Sequence, residues 1–183
     1  MLPQRKIYTY EEFLKITDNI ERAEFIDGEI IMQATPTAQH QSIVLNIASE
    51  FRAFFQNKVC KPYIAPFDII LETDYEETKR VQPDISIICN KNLANENEFR
   101  GVPSLIVEVV SPSNASDDYV KKLNLYMRFG VEEYWIVSPK NRTIQIFSLE
   151  NEVYGEPKIY LENDCVRSDL FNGLSIELKT IFE

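Results

Sequence analysis

The run Leu105-Ile106-Val107-Glu108-Val109-Val110 is apolar on both of its alternating faces except for one carboxylate. A strand of that kind belongs in the middle of a sheet, covered on each side. The chain then breaks at Ser111-Pro112-Ser113, and a helix is expected from a cap at Ser116 to about Phe129, with Gly130 as its left-handed C-terminal residue. Glu133–Val137 resumes as a strand within three residues. Strand, helix and strand in such close succession imply a right-handed crossover and a locally parallel pair. Thr143–Leu149, after the turn Pro139-Lys140-Asn141-Arg142, should pair antiparallel with the strand before it.

The amino-terminal half reads differently. Thr9-Tyr10-Glu11-Glu12 is a capping box that opens a short helix through about Lys15. Ala23–Ile26 and Glu29–Met32 flank Asp27-Gly28, the signature of a tight hairpin. From a cap at Thr37 to about Lys58, His40, Ile43, Val44, Ile47, Phe51, Phe54 and Phe55 recur at helical spacing. Tyr63–Leu71 and Val81–Cys89 are strand-like, are joined by a polar segment, and should pair antiparallel. Residues 90–100 read as a loop, and residues 158–183 carry weaker strand signals. The sum is an α/β fold with one large helix on each side of a mixed sheet, in a single domain over residues 1–183.

Nineteen basic and 29 acidic side chains leave a net charge of −10, which argues against coating nucleic acid or membrane by a bulk positive field. A small local site for a polyanion stays compatible with that charge. Cys60, Cys89 and Cys165 are scattered and odd in number, so no disulfide framework or cysteine zinc site is expected. They read as small core residues in a reducing compartment. The single histidine, His40, excludes a histidine zinc cluster. No apolar leader is visible, and no stretch approaches the ~20 residues that span a bilayer. The expected protein is cytoplasmic, with no membrane partner. Five scattered glycines form no phosphate loop, and His40 has no evident nucleophile for acyl transfer.

Glu108 is the residue most in need of explanation, because a buried lone carboxylate costs several kcal/mol unless it is paired, hydrogen-bonded or bound to metal. Asp84, in Gln82-Pro83-Asp84-Ile85, opens an otherwise apolar strand. If the strands bearing Asp84 and Glu108 are neighbours, the two carboxylates converge and suit an oxygen-loving divalent cation such as magnesium. Taken singly, each has an ordinary reading: Glu108 as partner of a buried cation, Asp84 as part of a Pro-Asp turn. Lys122 lies between Tyr119 and Tyr126, beside a face expected to bury Val120, Leu123 and Met127. Its ordinary reading is a surface ion pair with Asp118. Glu24 reads singly as a solvated strand residue and His40 as a core-edge histidine.

The segments VQPDISII and GVPSLIVEVVSPSNASDDYVKKLNLYMRFGVEEYWIVSPKNRTIQIF, with EFIDGEII and PTAQHQSIV before them, resemble the Uma-type endonuclease family of the PD-(D/E)XK, restriction-endonuclease-like superfamily. The resemblance implies an αβββαβ core preceded by a helix and a hairpin. It implies metal-dependent hydrolysis of DNA, with magnesium or manganese held by Asp84 and Glu108 and the Val109 carbonyl as a further ligand. The superfamily places a lysine two residues after the second acid, where this chain has Val110. The family's D-x-x-x-K-L-x-x-Y pattern, here Asp118, Lys122, Leu123 and Tyr126, supplies Lys122 in its stead. Glu24 corresponds to a supplementary acid of the metal shell, and His40 to a histidine of the substrate site. Nucleases of this superfamily that cut both strands commonly act as homodimers. The alternatives are a catalytically silent nucleic-acid-binding module and a structural dimer. Residues 100–142, with six basic and five acidic side chains, are nearly neutral within an acidic chain.

Overall fold

The computed structural model describes residues 6–20, 22–72, 78–90, 96–111 and 117–183, with the side chains of residues 117 and 118 excepted. Helix α1 (Tyr10–Ile16) opens on the expected box: Thr9 Oγ1 accepts from the Glu12 N–H, and the Glu12 carboxylate accepts from the Thr9 N–H. Strands β1 (Ala23–Ile26) and β2 (Glu29–Met32) form the hairpin. Its turn holds Asp27 at φ 48° and Gly28 at φ 78°, the left-handed pair that a tight two-residue turn demands. Helix α2 (Ala38–Phe54) is capped by Thr37, which accepts from the His40 N–H, and it buries Ile43, Val44, Ile47 and Phe51.

The expected pairing of Tyr63–Leu71 with Val81–Cys89 exists, but it is divided between two sheets. Strands β3 (Lys61–Ile64) and β6 (Ile85–Ile88) pair in one sheet, while β4 (Asp68–Leu71) and β5 (Lys79–Val81) pair in the other. Pro66, after a cis peptide, and Pro83 fall at facing positions of the break. Neither has an N–H to give the ladder, so both arms bend together and change sheets. The expected loop 90–100 also contains β7 (Glu98–Arg100), which runs parallel to β4 and buries Phe99. Three residues are too few for a pattern to announce them.

β8 (Leu105–Val109) is central, antiparallel to β6 and parallel to β9 (Glu133–Ser138). β10 (Thr143–Glu150) pairs antiparallel with β9, and β11 (Val153–Tyr154) and β12 (Lys158–Leu161) pair with β10. The two sheets therefore run β2-β1-β5-β4-β7 and β11-β10-β9-β8-β6-β3. β13 (Cys165–Arg167) and β14 (Ser175–Glu177) form a small third pair before α4 (Leu178–Ile181).

Within the crossover, the expected cap Ser116 lies outside the described residues. The helix expected there begins as a wide π-helical turn, Asp117–Lys122, and continues as α3 (Leu123–Phe129), closed by Gly130 at φ 81°. The wide turn shifts the helical phase. The buried face is Lys122, Leu125, Tyr126 and Phe129, in place of the expected Val120, Leu123 and Met127, and Val120 is exposed. Helix α2 covers one face of the central sheet, with Ile43, Ile47 and Phe51 against Val107, Trp135 and Val137. α3 covers the other, with Leu125, Tyr126 and Phe129 against Ile106, Tyr134 and Ile136.

Cys60 and Cys89 are joined as a disulfide, and Cys165 is a free thiol. This corrects the expectation of three unlinked thiols and removes the argument that it supplied for a reducing compartment. The pairing Lys61↔Ile88 sets the flanking Cys60 and Cys89 face to face, a consequence of strand register that sequence spacing does not display. Among the described residues, no helix is long and apolar enough to cross a membrane.

Candidate active site

The corner where the split hairpin changes sheets is also where the candidate residues gather. Asp84 stands immediately before β6, and the register Ile85↔Val107 sets it opposite Glu108 of β8. The two strands are neighbours, as the metal reading requires. Asp84 Oδ2 accepts from the Val109 N–H at 2.8 Å and meets His40 Nε2 at 3.1 Å. His40 reaches it from the first turn of α2. With Nε2–H donating to the carboxylate, the buried Nδ1 is left as an unbonded acceptor. His40 is thus a partner of Asp84.

Glu108 is 4% exposed, and its Oε1 accepts from Lys122 Nζ and from the Tyr126 hydroxyl, both at 2.9 Å. Lys122 and Tyr126 are four residues apart, on one helical face. Lys122 Nζ also lies 3.0 Å from Glu24 Oε1, which in turn accepts from the Gln82 N–H at 2.9 Å. Glu24 is 1% exposed because β1 lies between β2 and β5 and is buried along its whole length, so its carboxylate is not solvated. Lys122 is buried too, while its neighbour Lys121 turns outward to Glu29. The surface pairing of Lys122 with Asp118 does not account for a buried lysine.

Glu24 and Glu108 thus share the one ammonium of Lys122, while Asp84 stands in register with Glu108 and is held by His40 and the Val109 N–H. Among the described residues, no three His, Cys, Asp or Glu side chains converge as a metal cluster. A cation here would rest on the Asp84 and Glu108 carboxylates and the Val109 carbonyl, with water completing its shell. That all-oxygen donor set fits magnesium or manganese, hard ions that keep part of their water. Val110, where the superfamily lysine would stand, is 8% exposed and belongs to the apolar cluster under α3. The ammonium nearest to Glu108 is that of Lys122, at the end of the wide helical turn.

Two participants, and one buried acid away from the corner, were not singled out by the sequence. Gln82 ties Glu24 through its backbone and Asp68 through its side-chain amide. Tyr126 stood only as a letter of a motif. Glu133, 0% exposed, accepts from Trp135 Nε1, Ser168 Oγ and the Asp169 and Leu170 N–H groups. Burial pushes its carboxyl upward and these donors only partly counter it. Glu133 anchors the carboxy-terminal segment to β9. At the hairpin tip, burial raises the Asp27 carboxyl, but bonds to Arg128 and Lys79 outweigh it and hold the group below the usual aspartate range.

This architecture, with acids on two adjoining strands and a lysine on the crossover helix, is restriction-endonuclease-like. A solved structure from Anabaena variabilis, described as a putative nuclease belonging to DUF820, aligns with a TM-score of 0.78 over 95% of this chain and 97% of its own, at 19% identity. The family model "Uma2: Putative restriction endonuclease" matches residues 10–179, and the chain belongs to that family. Two uncharacterised proteins of Synechocystis, sll1609 and slr1290, are 27% and 25% identical over 136 and 139 residues. The matches cover 72% and 75% of this chain, and 75% and 72% of theirs.

Proposed function

We propose that this chain is a magnesium- or manganese-dependent endonuclease that hydrolyses DNA phosphodiester bonds at the corner holding Asp84, Glu108 and Lys122. The observation that carries the reading is the bridging of Lys122 Nζ between Glu24 and Glu108, beside Asp84 in register on the adjoining strand. Asp84, Glu108 and the Val109 carbonyl would hold the cation, which supplies Lewis-acid polarisation of the scissile phosphate and a lowered pKa for water. His40 and the Val109 N–H orient Asp84 through Oδ2. Glu24 and Tyr126 fix the Lys122–Glu108 pair, so that the ammonium meets the charge developing on the phosphate without reorganising. Glu24 serves chiefly by placing Lys122, and secondarily in the outer metal shell. A chain that cuts both strands would do so as a homodimer.

Asp84→Asn and Glu108→Gln should each abolish cation-dependent cleavage of DNA while the urea-unfolding transition stays cooperative. The assay is gel cleavage of supercoiled and linear DNA with magnesium, manganese or EDTA. Cleavage by either variant at the parental rate would sink the proposal.

A further inference from the structure

Arg22, just before β1, is half-buried and lines the cavity of about 200 Å³ that Asp84 also lines. Arg52 and Arg167 are exposed, and the surroundings of Arg22 differ from those of the four arginines that sit in ion pairs. Arg80 meets Asp68, Arg100 meets Glu72 and Glu98, Arg128 meets Asp27, and Arg142 meets Glu162. Among the described residues, the polar partner of the Arg22 side chain is neutral: Nη2 donates to Gln33 Oε1 at 3.4 Å, and the buried Nε has no acceptor. Arg80 and Arg142 also have an unbonded Nε, but each has a carboxylate at its Nη2. A partly desolvated guanidinium without a counter-charge is costly to keep, and its planar fork matches phosphate oxygens.

Asp84 brings a carboxylate to the same cavity, and two further features offset it in favour of an anion. Gln33 holds the arginine in place, donating its N–H to the Arg22 carbonyl at 3.0 Å and its side-chain amide to the Gln82 carbonyl at 3.5 Å. That bond ties Arg22 to the segment bearing Asp84. Another wall is the start of α2, through Pro36 and Gln41, and the first turn of this helix carries no acidic side chain. Its partial positive charge therefore adds to that of the guanidinium. Ile64 and Pro66 also line the cavity.

We propose that Arg22 binds a phosphate of the substrate strand flanking the scissile one, in the cavity it shares with Asp84. This rests on the nuclease reading in placing the scissile phosphate at the neighbouring corner; the contact between Arg22 and a nucleic-acid phosphate does not need it. The test is fluorescence anisotropy of a short labelled duplex in EDTA across a salt series, followed by steady-state cleavage with magnesium. Arg22→Gln should weaken binding several-fold and reduce the slope of log K against log salt by about 0.9, the share of one phosphate contact. Arg22→Lys should restore the slope, and KM for Arg22→Gln should rise more than kcat falls. Urea unfolding of both variants checks that a changed slope does not come from a damaged fold. An unchanged slope and KM in Arg22→Gln overturns the proposal. A parent protein that binds DNA with an Arg22-dependent slope, yet cleaves with neither cation, overturns the nuclease reading and leaves this one standing. Absence of DNA binding in the parent overturns this proposal, and absence of both binding and cleavage with either cation overturns the nuclease reading as well.

Discussion

Replacing Lys122 by methionine tests whether the buried triad is organised as described. Its Nζ lies 3.0 Å from Glu24 Oε1 and 2.9 Å from Glu108 Oε1, so the two carboxylate oxygens are within about 6 Å of each other. With the ammonium gone, two nearly inaccessible negative charges face one another. At an effective dielectric constant of about 20, that repulsion is about 3 kcal/mol. The lost attraction adds to it, and removing one member of a buried ion group costs ~3–5 kcal/mol in general. For a urea slope of about 2 kcal/mol/M, the unfolding midpoint of Lys122→Met should fall by about 2 M. Adding Glu24→Gln to that variant removes one of the opposed charges and should recover about half of the loss or more, a coupling that independent sites do not show. Circular dichroism in urea, without divalent cations, measures both. A Lys122→Met midpoint within about 0.3 M of the parent, or a double variant less stable than the single one, would refute the arrangement.

Two further outcomes follow. Because the Glu133 carboxyl is raised in the folded state, that state holds its proton more tightly than the unfolded chain does. Its contribution to stability is full below the ordinary glutamate value of 4.5 and is lost as pH rises through the folded value. The stability of the parent minus that of Glu133→Gln should accordingly fall from pH about 4 upward, superimposed on a loss of about 1–3 kcal/mol for mismatched donors; a difference that rises with pH would contradict it. For the disulfide, thiol titration of the denatured, unreduced chain should find one reactive thiol in three. Reduction should lower stability by up to about 3.5 kcal/mol, the chain-entropy figure for a loop of 29 residues, and three reactive thiols before reduction would contradict the linkage.

What could be read beforehand was local or periodic. The capping box at Thr9, the Asp27-Gly28 turn, α2 and the strand–helix–strand of the crossover each have a signal within one segment, and each forms. Even so, α2 ends at Phe54 and not near Lys58, and the crossover helix opens in a wide turn that shifts its buried face. Partition between sheets is another matter. Residues 63–71 and 81–89 present the same apolar pattern whether they make one hairpin or two, and only the facing prolines hint at the bend. The Cys60–Cys89 link depends on register, which no local pattern sets. The site divides in the same way. Asp84 and Glu108 stand out because a charge in an apolar strand is expensive. Glu24 and Lys122 look solvated until β1 and α3 close over them, and the partners of Lys122, Glu24 and Glu108, lie 98 and 14 residues away along the chain. Arg22 gives no signal of its own, since what distinguishes it is the company it lacks.

The bent hairpin also has a bearing on how the molecule is assembled. Glu24 belongs to one sheet, Glu108 to the other, and Lys122 to the crossover between β8 and β9, so Lys122 can meet both acids only once all three bodies have docked. Each sheet has its own hydrogen-bonded ladder that does not depend on this contact. The candidate catalytic corner is therefore complete only in the fully docked molecule, and a slight parting of the two sheets would be felt there. A chain with correct secondary structure and a loosened junction would keep its helices and strands and lose its chemistry.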